Sequence, residues 1–367
     1  MAVIAEVTGR PDGQVFMGNM AAALQTGGFA TSSDDLVLTE PGWTLFSIDF
    51  AADDAIFLDI GAKTDLASAP FSYQRQFDTA RRILRMRLSD FLDLGERCPV
   101  GEPLVHLFNM GHCGSTLLHH VFNRSGQAWC LSEPLVTFDL AMNRDALSAD
   151  RLTALMRAGL RMLRFFPGIA GRRLVVKHFS QVNTIIPECH QAEPDATCLF
   201  LYRSGEAWCN SLYGFYQRLA GGGLELLPED RAFSWLMMSA DTPLSALDDV
   251  VDMAAPVVTF DSLAAVAWSL QLQSHARARA ANVPLHSFRY EELIADRAAS
   301  LAQVFNWCGL QPDGIAAGLA AFDEDSHKGA VTSHARAVEQ LDEVSRSRIR
   351  QIFAHPKIKV TGRERLA

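Results

Sequence analysis

The stretch that most constrains the fold of this chain is LVHLFNMGHCGST, at residues 104–116. Its first part, Leu104–Phe108, is a short apolar run typical of a buried strand, and Gly111 and Gly114 follow in a tight loop. A helix is predicted to begin near Ser115. A strand, a glycine loop and a helix N-terminus together favour an anion, because backbone N–H groups and the helix dipole point at the ligand. The stretch therefore predicts a site for a phosphate or a sulfate.

Predicted strands and helices alternate through residues 101–367, which favours an α/β domain with a mostly parallel β-sheet flanked by helices. Several of the strands are near-continuous apolar runs, as a sheet covered on both faces requires. The predicted strands are Leu104–Phe108, Ala128–Leu131, Leu174–Lys177, Thr197–Tyr202 and Leu285–Tyr290. The predicted helices cover about 115–124, 150–166, 205–219, 262–281, 298–308 and 337–353.

Residues 1–100 are predicted to form a mixed α/β extension of short strands and one helix. Apolar residues recurring at spacings of three and four predict that helix over 72–94, with Ser72 as its N-cap and Gly95 as its stop. The arginines on its other sides predict a solvated basic face, or alternatively a face for a ligand or partner. Residues 214–261 are the least regular part of the main domain and are predicted to be a substrate-side insertion.

Composition excludes several classes of function. A net charge of −9 argues against a nucleic-acid partner, and no apolar run reaches the length of a membrane span. The N-terminus lacks the pattern of a signal peptide. The seven cysteines show neither CxxC nor Cys/His metal spacing, so we expect a reduced, cytoplasmic protein without a bound metal. At 367 residues and 49% hydrophobic composition the chain can bury a large core.

The glycine loop departs from the standard nucleotide-binding pattern. A Walker A loop has a lysine before its Ser/Thr, whereas Gly114 is followed directly by Ser115 and Thr116. This disfavours an ATPase or GTPase and leaves two interpretations, a site for another anion or a strand–helix turn without a ligand.

A second group of polar residues follows the predicted strand that ends at Tyr202. Arg203 stands at the strand end, and Ser211 lies about two turns into the next helix. Because ligands collect at the carboxyl ends of parallel strands, the two residues could hold a second phosphate. The alternative is that Arg203 is an ordinary salt-bridge partner.

Three motifs in this order resemble those of PAPS-dependent sulfotransferases, where PAPS is 3′-phosphoadenosine 5′-phosphosulfate. Residues 111–118 (GHCGSTLL) are similar to the loop that binds the 5′-phosphosulfate, and Arg203 and Ser211 match the 3′-phosphate motif in type and separation. Residues 288–293 (FRYEEL) resemble the Arg-Tyr-Glu-Asp-Leu strand–helix unit late in these enzymes. The resemblance is closest to the tyrosylprotein and bacterial branches, and it does not cover the first hundred residues.

The resemblance implies a P-loop-like sulfotransferase fold, PAPS as donor with PAP as product, and transfer of a sulfuryl group to a hydroxyl or amine. The acceptor would be a small molecule or a peptide hydroxyl. The implied cofactor-binding residues are Gly111, His112, Cys113, Gly114, Ser115, Thr116, Arg203, Ser211 and Lys328. Lys328 is assigned because residues 326–329 (SHKG) resemble a late loop that covers the 3′-phosphate; a plain solvated loop is the alternative.

The implied catalytic residues are Glu133, Lys177 and His112. Glu133 matches the general base of the tyrosylprotein branch, and Lys177 the lysine that neutralises charge on the sulfuryl group and leaving oxygen. Their alternatives are a helix cap or ion-pair partner for Glu133 and a strand-end lysine with a solvated head for Lys177. The cytosolic branch has a histidine where this chain has Phe179, and the adjacent His178 is predicted to point to the opposite side.

One departure from the family affects the loop itself. The family has Arg or Lys where this chain has His112, and Cys113 follows it. A histidine can still donate to an anion, more strongly when protonated. Because its charge is weaker, two further interpretations stay open: a non-catalytic protein that binds PAP or another nucleotide, and a P-loop phosphotransferase.

Overall fold

The structure is a computed structural model that describes residues 2–11, 20–166, 169, 171–220, 224–226, 250–251, 257–324, 339–358 and 360–366. The chain divides into two compact units. One contains residues 1–106 with 122–197, and the other contains residues 107–121 with 198–367.

The described part of the first hundred residues contains an antiparallel sheet and short helices. Its elements are β1 (Ala2–Gly9), β2 (Gln25–Ser32), α1 (Leu36–Thr39), β3 (Trp43–Asp49), β4 (Asp54–Asp59), α2 (Ser72–Thr79), β5 (Arg82–Arg87) and α3 (Leu88–Arg97). Within the described residues the strand order is β2-β1-β5-β4-β3. The ring of Phe57 on β4 packs edge-on against Phe91 of α3, at 6.2 Å between centroids. The sheet thus buries an apolar face under a helix, as a mixed α/β extension requires.

The prediction of a single helix over 72–94 is wrong. Helix α2 ends at Thr79, residues 82–87 form the central strand β5, and a new helix, α3, begins at Leu88. Phe71 rather than Ser72 takes the N-cap position, and α3 continues past Gly95 to Arg97. The close packing of α3 on α6 explains the glycine at position 95, because a Cβ there would lie 2.6 Å from the Cβ of Ala158.

The basic face predicted for that helix is not formed, because most of these arginines lie on or beside β5 and pair with carboxylates. Arg82 lies 2.8 Å from Asp59, and Arg85 lies 3.5 Å from Asp49. The hydrogen bonds from Arg82 and Arg81, together with the Gly61 N–H, hold the pKa of Asp59 below its usual value although burial opposes them. The alternating run RILRMR therefore follows strand pairing, which local helical spacing does not reveal.

The remaining elements alternate strands and helices, as predicted. They are β6 (Val105–Asn109), α4 (Ser115–Arg124), β7 (Ala128–Ser132), α5 (Leu135–Met142), α6 (Ala149–Leu163), β8 (Arg173–Lys177), α7 (Ile186–Ala192), β9 (Thr197–Tyr202), α8 (Gly205–Ala220), β10 (Glu225–Leu226), β11 (Val258–Thr259), α9 (Phe260–Ala280), β12 (Leu285–Arg289), α10 (Tyr290–Ala295), α11 (Arg297–Trp307), α12 (Ile315–Leu319) and α13 (Glu343–Ala354). In the described part of the chain no helix is long and apolar enough to cross a membrane.

The predicted α/β class is confirmed by a second sheet, which has the order β12-β9-β6-β8-β7 within the described residues. β12 pairs with β9 in parallel, and so does β7 with β8. All five strands lie within one residue of their predicted bounds. Much of the predicted insertion at 214–261 falls outside the described residues, so that assignment stays a prediction, as does the domain boundary at residue 100.

Candidate functional site

The glycine loop after β6 curls because three of its residues have left-handed backbone angles. Gly111 has φ +68°, His112 +47° and Gly114 +88°. The side-chain oxygen of Asn109, at the end of β6, accepts the N–H of Gly111 at 2.9 Å and the hydroxyl of Ser115 at 3.1 Å. One buried amide therefore joins the two ends of the loop.

Hydrogen bonds join the loop to α8 and β9. The indole N–H of Trp208 is placed to donate to the carbonyls of Met110 and Gly111, at 3.0 and 2.8 Å. The thiol of Cys113 is buried and donates to the carbonyl of Leu201 at 3.3 Å. Cys113 therefore holds the loop against the sheet, as expected for a small structural loop residue.

Helix α4 begins directly after the loop, with Ser115 and Thr116 buried in its first turn. The first N–H groups of any helix have no acceptor within it and carry the positive end of the helix dipole. The hydroxyl of Ser115 donates to Asn109, so the donors that this end of α4 offers to an anion include its first backbone N–H groups.

Arg203 follows β9 and lies beside the loop. Its guanidinium stacks over the ring of Tyr290 at 4.8 Å, and its Nη1 donates to the carbonyl of His112 at 3.3 Å. The indole of Trp268 donates to the carbonyl of Arg203 at 2.9 Å, which fixes the backbone there. Among the described residues no carboxylate forms an ion pair with this guanidinium, and its buried Nε has no acceptor. A positive charge is thus held next to the loop, and no described carboxylate pairs with it.

The ring of Tyr290 lies against both Gly114 and Arg203. A Cβ on Gly114 would lie 2.5 Å from the ring of Tyr290, so a residue with a side chain would collide with that ring. The neighbouring Glu291 accepts hydrogen bonds from the N–H and hydroxyl of Ser204, at 3.1 and 2.5 Å. The strand–helix unit at 288–293 therefore supports the residues that flank Arg203.

The other predicted cofactor residues are less clearly engaged. Ser211 is half-buried in α8, two turns after Arg203. The ring of His112 packs against Phe215 of α8, with centroids 4.6 Å apart. Lys328 lies outside the described residues, so its role stays a prediction.

A second group of charged residues follows β7 and β8. Lys177 ends β8 with its side chain 1% exposed, and its Nζ donates to Glu133 Oε1 at 2.6 Å and to Ser132 Oγ at 3.1 Å. Glu133 is 16% exposed and reaches solvent. The lysine is therefore a buried cation with a carboxylate partner, and the carboxylate is the more accessible member of the pair.

The backbone of Glu133 is strained. Its φ is +59°, a backbone angle that residues other than glycine rarely adopt. Its N–H donates to the carbonyl of Lys177 at 2.7 Å. Strained residues of this kind cluster at functional sites. We call Ser132, Glu133 and Lys177 the Lys177 cluster.

His178 lies in the interior, as its predicted orientation away from Lys177 suggests. It is fully buried, with its Nε2 at 2.8 Å from Nδ1 of His106 and its Nδ1 at 3.3 Å from the hydroxyl of Thr137. Burial lowers the pKa of both histidines, that of His106 to about 3. The pair is thus neutral and serves packing, which leaves Glu133 as the accessible candidate base.

Three contributors to the loop escaped the sequence interpretation: Asn109, Trp208 and Tyr290. Trp208 lies between Arg203 and Ser211, and Tyr290 lies in the motif at 288–293. The resemblance therefore pointed to both segments but did not predict the contacts of these two residues with the loop. Asn109 follows directly on the predicted apolar strand, and a polar residue between such a strand and a glycine loop is the signal that could have identified it.

No family model matches this sequence, and no curated protein matches it. Among solved structures the chain is similar to a sulfotransferase from Alicyclobacillus acidocaldarius, at 14% identity and a TM-score of 0.42, covering 71% of this chain and 94% of that one. It is also similar to mouse sulfotransferase SULT7A1 complexed with PAP, at 12% identity and a TM-score of 0.38, covering 74% of this chain and 91% of that one. A third similar structure is that of sulfotransferase STF9 from Mycobacterium avium, at 13% identity and a TM-score of 0.41, covering 75% of this chain and 81% of that one.

Proposed function

We propose that this chain is a sulfotransferase that moves a sulfuryl group from PAPS to a hydroxyl or amine. The observation that carries the proposal is Arg203, a guanidinium held by a ring and a carbonyl beside a glycine loop, with no carboxylate partner in the described residues. A positioned, half-buried guanidinium of this kind is available for charge-assisted hydrogen bonds to an anionic ligand.

The donor would use both phosphate-bearing ends. Its 5′-phosphosulfate would bind the N–H groups of residues 111–116 and the first turn of α4. Its 3′-phosphate would bind Arg203 and Ser211, with Lys328 as a further cation. The three ordered sequence motifs support this assignment, because each supplies residues to the loop or to the surroundings of Arg203.

For the transfer step, Glu133 would accept the proton of the acceptor hydroxyl while that oxygen attacks sulfur. The bond from sulfur to the bridging phosphate oxygen breaks, and PAP leaves with the negative charge. Lys177 and His112 would stabilise charge on the sulfuryl and bridging oxygens. Such a reaction depends on positioning and electrostatics rather than on a covalent enzyme intermediate.

A second candidate is a protein that binds PAP or another nucleotide without catalysis. His112 favours it, because a histidine supplies less positive charge to an anion than the guanidinium or ammonium that the family has at this position. A P-loop phosphotransferase is the weaker alternative, since the loop has no lysine.

Calorimetric titration with PAP tests the donor site. We expect wild-type protein to bind PAP and Arg203→Ala to weaken binding about tenfold to a hundredfold, the usual value of charge-assisted hydrogen bonds to phosphate. The matched control is Arg297→Ala, since Arg297 also stacks over a ring, that of Phe322 at 5.0 Å. Unchanged affinity in Arg203→Ala, or a preference for ATP with Mg²⁺, would contradict the proposal.

Incubation with labelled PAPS and a panel of hydroxyl and amine acceptors separates an enzyme from a binder. We expect labelled product with wild-type protein and a loss of turnover in Glu133→Gln, with PAP binding as the check that the variant is folded. PAP binding without product from any acceptor would favour the second candidate. Product formation at the wild-type rate in Glu133→Gln would exclude Glu133 as the base.

A further inference from the structure

The backbone that carries Arg203 is tied to other parts of the chain on both sides. Its own carbonyl accepts an indole N–H from α9. The N–H of Ser204 donates to Glu291 at 3.1 Å, and the N–H of Gly205, the first residue of α8, donates to the carbonyl of Gly362 at 2.8 Å. N–H groups at the start of a helix have no acceptor within it, and here the protein itself uses two of them. They therefore fix this backbone rather than bind a ligand.

The last of these contacts comes from residues 360–366, which we call the 360–366 segment. The same segment reaches the residue before Arg203, because the N–H of Leu366 donates to the hydroxyl of Tyr202 at 3.0 Å. Its carbonyl at Gly362 meets Gly205, two residues after Arg203. The segment thus holds the chain on both sides of the guanidinium that we assign to the donor.

The 360–366 segment is seated by close packing of two glycines against one ring. A Cβ on Gly205 would lie 2.5 Å from the ring of Phe353 and 3.1 Å from the Cα of Gly362. A Cβ on Gly362 would lie 2.9 Å from the same ring. The ring of Phe353 is buried and packs on Trp268, with centroids 4.9 Å apart, and the N–H of Val360 donates to the carbonyl of Phe353 at 2.9 Å. The contact is therefore a buried one, which a small change of shape would disturb.

The side chain of Arg203 has weaker support than its backbone. In the described part of the chain the guanidinium contacts the ring of Tyr290 and the carbonyl of His112. A cation–π contact and a single hydrogen bond each contribute little on their own. Since charge-assisted hydrogen bonds to phosphate depend on donor geometry, the position of the backbone at 202–205 governs how well Arg203 meets an anion.

We propose that the 360–366 segment is a positioning element for Arg203, and that its attachment and the binding of the donor's 3′-phosphate stabilise each other. The inference rests on the proposed function and adds a regulated support to the donor site. Because a coupling between two equilibria is reciprocal, release of the segment weakens donor binding, and donor binding holds the segment in place. The segment lies beyond the three motifs that carry the sequence resemblance.

Calorimetric titration of the full-length protein with PAP tests the first direction of this coupling. We expect Gly362→Ala to weaken PAP binding about tenfold, because the new side chain meets Phe353 and displaces the carbonyl that binds Gly205. Gly171→Ala is the matched control, since Gly171 also has φ +73° but no atom within 4 Å of a Cβ. It should bind PAP as the wild type does.

Tyr202→Phe gives a milder second variant in case Gly362→Ala does not fold. It keeps the buried ring and removes the hydroxyl that accepts the N–H of Leu366, so we expect about threefold weaker PAP binding. The thermal midpoint of each variant separates lost affinity from lost folding. Wild-type affinity for PAP in both Gly362→Ala and Tyr202→Phe would overturn the inference.

Hydrogen–deuterium exchange tests the second direction, which a purely structural segment would not show. We expect saturating PAP to slow exchange of the amides in the 360–366 segment severalfold, while those of β2 exchange as before. In Arg203→Ala the same amides should gain no protection from PAP at concentrations that saturate the variant. Equal exchange of the segment with and without PAP in the wild type would contradict the coupling.

These outcomes are distinguishable from failure of the proposed function. If the wild type binds PAP and neither variant of the segment changes its affinity, the positioning role is wrong while the donor site stands. If the wild type does not bind PAP, the donor assignment is wrong and the coupling to it falls as well. Faster exchange at residues 203–206 in Gly362→Ala than in Gly171→Ala would still show that the segment holds this backbone.

Discussion

Lys177 is the last residue of β8 and Arg203 directly follows β9, but the protein surrounds the two cations in different ways. The ammonium of Lys177 is fully buried and has both a carboxylate and a hydroxyl as acceptors. The guanidinium of Arg203 is less buried, and in the described part of the chain it contacts a ring face and one carbonyl. The first cation is neutralised by Glu133, whereas no described residue supplies a carboxylate to the second.

This difference suggests that the region around Lys177 contributes to folding stability and the region around Arg203 to ligand binding. A buried ion pair is part of the folded structure, because removal of either member leaves the other charge desolvated. A cation without a counter-charge contributes little to folding and is available to an anionic ligand. Substitutions should therefore affect stability around Lys177 and ligand affinity around Arg203.

The largest expected effect on stability follows Glu133→Gln. It leaves the buried ammonium of Lys177 without a negative partner, which we expect to cost about 3–5 kcal/mol in the free energy of unfolding. Urea denaturation measures it. The double variant Glu133→Gln with Lys177→Met removes both charges and should recover most of the loss; if it is no more stable than the single variant, the ion pair is not the cause.

Gly114→Ala should have the next largest effect. Alanine there meets Tyr290 at 2.5 Å and takes a φ of +88°, which together we expect to cost about 2–4 kcal/mol. Gly126→Ala is the matched control, because Gly126 has φ +73° with no atom within 4 Å of a Cβ. It should cost about 1–2 kcal/mol, from backbone strain alone. Equal losses by thermal denaturation would contradict the collision with Tyr290.

Asp139 is a buried carboxyl that has no cation partner in the described residues and is therefore expected to be neutral. Its Oδ2 accepts the N–H of Ile48 at 2.8 Å, and burial raises its pKa to about 8. An unfolded aspartate ionises near pH 4, so stability from this group is complete below that pH and is lost as pH rises toward 8.

Asp139→Asn should remove this dependence. We expect the unfolding free energy of the wild type to fall, relative to Asp139→Asn, by about 1.4 kcal/mol per pH unit between about pH 5 and 7. Urea denaturation at several pH values measures the slope. Exposed Asp150 supplies the control, and Asp150→Asn should retain the wild-type slope. Parallel curves for wild type and Asp139→Asn would show that the carboxyl is ionised in the fold.

The smallest expected effect on stability is that of Arg203→Met. It removes a cation–π contact and one hydrogen bond, so we expect a change of less than about 1 kcal/mol in the unfolding free energy. A loss as large as that of Glu133→Gln in the same urea titration would mean that Arg203 is structural, and the contrast between the two cations would fail.

The parallel sheet could be predicted from sequence because its strands are apolar on both faces. Cys198 to Tyr202, for example, are all buried, so no partner strand was needed to recognise β9. Residues 82–87 behave differently. Their arginines point toward carboxylates on or near β3 and β4, and these long-range partners decide that the segment is a strand although its spacing also fits a helix.

The candidate site was predictable where residue type fixes the backbone and not where three-dimensional contact decides. Gly111 and Gly114 indicated the curled loop, and their positive φ angles agree with that prediction. The role of Tyr290 depends on its approach to Gly114, which is 176 residues away in sequence. The attachment of Pro70 and Ser72 to the end of β7 depends on the hydrogen bonds that they form with Ser132, which no local pattern predicts.

The ladder between β7 and β8 also limits how this chain can change in length over evolution. Ser132 is paired with Lys177, and the N–H of Glu133 closes the ladder on the carbonyl of Lys177. Since strand side chains alternate between faces, inserting or deleting one residue within either strand would turn the carboxylate and the ammonium to opposite sides. Insertions are expected to accumulate in the connecting loops, while the lengths of these two strands stay constant among descendants that keep the pair.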